Sequence, residues 1–136
     1  MEEKRYLGID YGEIRIGLAL TDPLSTFAYS YKTLKNDKDF WTNISTIIIE
    51  KNVRRVVLGM PDKKKNKILA SKILSLKKRL ETNFDIEVIT WDEEFTSAIA
   101  QERVIETVTK KKKRKDKGLI DQNSAAIILE EYLNSL

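Results

Sequence analysis

The sequence predicts an α/β domain built on a five-stranded mixed sheet flanked by helices. Three observations carry this reading. Two apolar stretches, residues 5–11 and 14–21, open the chain with a glycine-containing turn between them. Farther on, short β-branched runs alternate with segments of helical periodicity. The chain has 136 residues, 41% of them hydrophobic and 34% charged, which is enough for one core and too little for two. We therefore expect a single domain over residues 1–136, with no internal repeat and no Pro/Ser-rich linker.

The elements follow in order. RYLGIDY (5–11) and IRIGLALT (14–21) read as two strands. Tyr11-Gly12-Glu13 between them predicts a tight hairpin, with Gly12 free to take a positive φ. TFAYSYKT (26–33) continues the alternation as a third strand. Residues 37–52 place Phe40, Ile44, Ile47 and Ile48 at helical spacing. RRVVLG (54–59), stopped by Met60-Pro61, reads as a buried strand. Residues 66–82 carry Leu69, Ile73, Leu76 and Leu80 on one stripe with lysines opposite, hence a surface helix. IEVITW (86–91) is the fifth strand. FTSAIAQERVIETV (95–108) and residues 119–134 are helical, the latter turning Ala125, Ile128, Leu129 and Tyr132 inward. A meander of three strands followed by two strands separated by helices predicts a sheet that is antiparallel at one side and parallel at the other.

Composition narrows the chemistry. The chain contains no cysteine and no histidine. Disulfides, cysteine-based zinc sites and every histidine general-base scheme are thereby excluded. Acids and bases must come from Asp, Glu, Lys, Tyr or a bound metal. No run approaches the roughly 18 apolar residues of a membrane span, and the first residues, MEEKRYLGID, carry no apolar signal region. The expected setting is cytoplasmic, away from membranes.

Three acids stand out. Asp10 closes the first strand, and Asp92-Glu93-Glu94 follows the last. Open α/β sheets gather their sites where the parallel strands end, so these acids meet at one edge if both strands join the parallel part. Asp121 lies at i−4, i−7 and i−11 from Ala125, Ile128 and Tyr132, on the inward stripe of the last helix. Each acid also has an ordinary reading. Asp10 suits a turn, Glu93 a helix entrance, Asp121 a helix N-cap or first turn. Taken together, converging carboxylates repel one another unless a cation sits among them. Oxygen ligands alone suit Mg²⁺ or Mn²⁺. Carboxylates holding such ions are the usual apparatus of phosphodiester hydrolysis and need no histidine.

Four blocks, GIDYGEIRIGLALTD (8–22), RVVLGMP (55–61), WDEEFTSAIA (91–100) and KGLIDQNSAAIILEEYL (117–133), make the chain resemble the YqgF/RuvX family of the ribonuclease H-like superfamily. The resemblance implies a ribonuclease H-like fold with a five-stranded mixed sheet. It also implies a metal-binding nuclease site on Asp10, Glu93 and Asp121, acting on structured nucleic acid. Two roles are implied: processing of the 5′ end of pre-16S ribosomal RNA, and resolution of Holliday junctions. The chain departs from the family at Glu94, where the family carries Arg. That removes a phosphate contact and adds repulsion beside the acids. DKKKNK (62–67) replaces the family's Asn- and Gly-containing loop.

Positive charge is concentrated. KKKKRKDK (110–117) holds seven basic residues and one acid, so without it the 25 basic and 21 acidic residues of the chain fall to 18 and 20. Charge runs are usually solvated loops. Here Lys110, Lys111, Lys112, Lys113, Arg114 and Lys115 lie between the Glu93 and Asp121 segments and are candidates to hold phosphates without reading sequence. Lys63, Lys64 and Arg15 join this set. The expected partner is nucleic acid, an rRNA precursor or branched DNA, met by a monomer or a homodimer. Two rivals are an actin- or sugar-kinase-like ATPase, which needs two domains where 136 residues supply one, and a non-catalytic nucleic-acid-binding domain.

Overall fold

The computed structural model describes residues 4–62, 64–92 and 117–136, apart from the side chains of 117–122. Its strands are β1 (Arg5–Tyr11), β2 (Arg15–Thr21), β3 (Ala28–Lys35), β4 (Val53–Met60) and β5 (Glu87–Asp92). Its helices are α1 (Phe40–Glu50), α2 (Lys67–Asn83) and α3 (Lys117–Asn134). The strands form one sheet in the order β3-β2-β1-β4-β5. β3 and β2, and β2 and β1, pair antiparallel, while β1, β4 and β5 run parallel. This is the expected mixed sheet, and it makes β1 the strand at which the two halves meet.

Alternation along each strand divides the core into two layers. Leu7, Ile9, Ile16, Leu18, Leu20, Val56 and Leu58 face α1 and α2, which contribute Ile44, Ile47, Ile73 and Leu80. Ala19 and Val57 face the other way, against Ala125, Ile128 and Leu129 of α3. β4 is covered on both faces, which explains its unbroken apolar run. α3 lies across β1, β2 and β3.

Three sequence expectations change. No described glycine has a positive φ. Gly12 is needed for space instead, since a Cβ there would strike the Arg15 carbonyl oxygen across the hairpin. β3 starts at Ala28 rather than 26, because Asp22 gathers the preceding loop. Its carboxylate accepts from Thr26 N–H (2.6 Å), the Thr26 hydroxyl (2.7 Å) and Phe27 N–H (2.9 Å). α1 is shorter than 37–52. Asp37 and Asp39 form a turn before it, and Asn52, at φ 51°, turns the chain into β4. The helix expected at 95–108 and the basic run 110–116 lie outside the described residues.

Candidate nuclease site at the sheet edge

Register fixes where Asp10 stands. Ile9 is level with Leu58, and Leu58 with Thr90. One residue on, Asp10 therefore stands level with Gly59 and Trp91, at the C-terminal edge shared by all three parallel strands. With β4 between them, β1 and β5 are roughly 10 Å apart, two strand spacings. Asp92 ends β5 at this edge, opposite Met60. Between the ends of β4 and β5 lies a depression of about 480 Å³ lined by Pro61, Asp62, Lys64, Trp91 and Asp92.

Parity decides which face Asp10 uses. Leu7 and Ile9 point to α1 and α2, so Tyr6, Gly8 and Asp10 belong to the α3 face. Along that face α3 runs opposite to β1. The Tyr6 and Tyr132 rings meet edge to face at 6.3 Å. A Cβ on Gly8 would lie 2.8 Å from the Ala125 carbonyl oxygen and 3.0 Å from Leu129 Cβ. By this progression the half-buried Asp10, with its register partner Gly17, is level with the turn of α3 that precedes Ala125. That turn contains residue 121. Gly8 was not singled out in the sequence, where its signal was only a missing side chain in an apolar strand.

The far end of α3 is fixed by a polar cluster. Arg55 Nη1 donates to the Tyr132 hydroxyl (2.8 Å), and Nη2 pairs with Glu87 at 3.0 Å. Its guanidinium lies 4.9 Å from the Tyr6 ring centre. Burial disfavours the Arg55 charge, but Tyr6, Tyr132 and Glu87 outweigh it and raise the pKa. Trp91 Nε1 donates to Glu131 at 3.0 Å, tying β5 to the same helix. These contacts hold α3 in register above β1, and so set where its first turns fall.

The sequence candidates divide accordingly. Asp10 is at the edge. Arg15 begins β2 two residues before Gly17, on the parity of Ala19, so it shares the Asp10 face. Lys64 is exposed beside the β4–β5 depression, its N–H bound to Asp62 at 2.9 Å. Asp121 lies in the backbone of α3. Glu93, Lys63 and Lys110 to Lys115 lie outside the described residues, as does the Asp121 side chain. Among the described residues no three acids come together as a metal site.

The sequence model of the RuvX family, described as Holliday junction resolvase, matches residues 4–135. The chain belongs to the RuvX family. Its relatives include proteins named "Putative pre-16S rRNA nuclease" from Bacteroides fragilis, 35% identical over 96% of each chain, and from Desulforamulus reducens, 34% identical over 96% of this chain and 97% of that one. Another, from Amoebophilus asiaticus, is 37% identical over 96% and 94%. The RuvX fold seen here is also that of the fowlpox virus Holliday junction resolvase, with a TM-score of 0.64 at 18% identity over 97% and 99% of the two chains. T. thermophilus RuvC, solved with a Holliday junction substrate, gives 0.58 at 16% identity over 92% and 91%. This is the ribonuclease H-like architecture. Among the described residues no helix is long and apolar enough to cross a membrane.

Proposed function

We propose that this chain is a metal-dependent endonuclease that hydrolyses phosphodiesters of structured nucleic acid, with the 5′ end of pre-16S ribosomal RNA as its substrate. The observation that carries this reading is the place of Asp10. It is a half-buried carboxylate on the central strand, at the shared end of the parallel strands, on the face covered by α3. Its partners in the proposal are Glu93, the residue after β5, and Asp121, one helical turn before Ala125. Relatives named as pre-16S rRNA nucleases, matched over nearly the whole chain, support the substrate.

The donor chemistry suits Mg²⁺ or Mn²⁺. Asp10 offers oxygen only, and the chain has neither histidine nor cysteine to attract softer metals. A divalent ion bound there supplies charge stabilisation at the phosphate and a lower pKa for the attacking water. The protein's part is to hold its carboxylates still. Asp10 follows the fully buried Leu7 and Ile9 in a strand paired on both sides, so its backbone cannot yield when like charges crowd it. Arg15, Lys63, Lys64 and the run Lys110, Lys111, Lys112, Lys113, Arg114 and Lys115 hold backbone phosphates. Such contacts orient the substrate without selecting its sequence.

Holliday junction resolution is the second reading, favoured by the family's description and by fold neighbours, one named a Holliday junction resolvase and one solved with a Holliday junction substrate. Symmetric cutting of a junction needs two sites, hence a homodimer, whereas end trimming proceeds on a monomer. Incubating the protein with a pre-16S rRNA fragment and with a four-way DNA junction, each with Mg²⁺ or Mn²⁺, separates the two. Cutting of the RNA by a monomer supports the first reading. Paired, symmetric nicks in the junction by a dimer overturn it in favour of the second.

A further inference from the structure

The sheet face opposite α3 carries a second charged feature that begins at the same edge. Tyr11 follows Asp10 and points to the other side, into a groove of about 620 Å³ between α1 and α2. Tyr11, Phe40 and Trp41 form its apolar floor, and Lys72 and Arg79 stand on its α2 wall. The Arg79 guanidinium lies 3.9 Å from the Trp41 ring centre. Stacking holds that cation in place while leaving its planar N–H edge available for phosphate. Glu13 and Asp37 line the opposite wall, the latter accepting from Asp39 N–H at 3.0 Å.

The groove opens onto a helix face without acids. α2 buries Ala70, Ile73, Leu76 and Leu80. At 3.6 residues per turn, Lys67, Lys72, Lys78 and Arg79 fall within the opposite half of the helix, and all four are exposed. The single acid of α2, Glu81, borders the flank of Lys67 and Lys78 and is bound to Lys77 at 3.1 Å. Among the described residues no carboxylate pairs with Lys67, Lys72, Lys78 or Arg79. Lys67 and Lys78 are eleven residues apart, roughly 16 Å along the helix, a length suited to successive phosphates and excessive for one small anion.

We propose that this face of α2, with the Trp41–Arg79 groove, is a second nucleic-acid-binding track that receives the phosphodiester backbone of a substrate arm away from the cut. The inference rests on the nuclease reading of the Asp10 edge. Tyr11 and Asp10 are adjacent and point to opposite faces, so a strand seated at Asp10 passes over the sheet edge and continues along α2. Charge is what the track recognises, so it serves a ribose or deoxyribose backbone alike.

The test uses Lys67→Gln, Lys72→Gln and Lys78→Gln combined, all exposed positions that leave the Arg79–Trp41 stack in place. Affinity for four-way DNA junctions with arms of about 4 or about 15 base pairs is measured across salt with divalent ions chelated. The longer arm spans well beyond α2, at about 3.4 Å per base pair. The variant should bind the long-armed junction about tenfold more weakly, with a salt slope shallower by about 2.7, the value for three lost phosphate contacts. The short-armed junction should show no such loss. Unchanged affinity and slope on long arms overturn the track, even where Asp10→Asn no longer cuts a pre-16S rRNA fragment. Cutting at the wild-type rate by Asp10→Asn with Mg²⁺ overturns the nuclease reading instead, whatever the lysine variant does.

Discussion

Gly8→Ala tests the contact that sets α3 above the site. A methyl group on Gly8 would stand 2.8 Å from the Ala125 carbonyl oxygen and 3.0 Å from Leu129 Cβ. Neither neighbour can rotate away, since one is helix backbone and the other the first atom of its side chain. Ordinary contact requires about 3.4 Å or more, so α3 must retreat by roughly half an ångström across its packed length. The retreat opens the layer formed by Ala19, Val57, Ile128 and Leu129 and strains the Arg55–Tyr132 hydrogen bond. Overpacking of this kind costs about 1–3 kcal/mol. For a chain of this length that is roughly 3–12 °C in melting temperature. Urea unfolding with the slope m held in view measures it directly. Because α3 carries residue 121, cleavage should fall together with stability. A Gly8→Ala protein within about 0.5 kcal/mol of wild type would refute the close packing of β1 and α3, and with it the level assigned to Asp10.

Two further predictions follow from charge. At Asp22, burial works to raise the pKa, but hydrogen bonds from Phe27 N–H, the Thr26 hydroxyl and Thr26 N–H outweigh it and lower the pKa from 3.8 to about 2. The depressed value means that the carboxylate's stabilising effect is present above about pH 4 and is lost as pH falls toward 2. Carbon-detected NMR titration of the Asp22 carboxyl should show this, and a midpoint near 3.8 would remove the Asp22 loop from the account. Replacing Lys110, Lys111, Lys112 and Lys113 by Gln should weaken nucleic-acid binding and flatten its dependence on salt, by up to about 3.6 in slope for four phosphate contacts on duplex DNA. An unaltered slope would make the run an ordinary solvated loop.

Much of the architecture was legible because burial writes a period into the sequence. Ile16, Leu18 and Leu20 alternate because one face of β2 packs on α1 and α2, and Ile73, Leu76 and Leu80 mark the buried stripe of α2. The mixed sheet followed from the meander and the two helix-separated strands. Loop chemistry was harder to read. Thr26 and Phe27 suit a strand, yet hydrogen bonding to Asp22 holds both in a turn. Gly12 reads as a positive-φ turn residue, yet its role is to admit the Arg15 carbonyl. Asp10 was visible as a carboxylate ending an apolar run, and its edge position followed from strand order. Its neighbours could not be read, because facing partners depend on register between β1, β4 and α3. The Trp41–Arg79 groove was hidden for the same reason: its walls come from α1 and α2, 38 positions apart in the sequence, and only packing brings them together.

The central claim is that Asp10 serves hydrolysis rather than folding. Asp10→Asn keeps the size and hydrogen-bonding reach of the side chain and removes its charge. Cleavage of a pre-16S rRNA fragment, measured with Mg²⁺ or Mn²⁺ at saturating protein, is the direct measurement, with binding affinity and melting temperature recorded on the same samples. The variant should stay folded, bind the RNA with near wild-type affinity and no longer cut it. Cutting at the wild-type rate would contradict the claim.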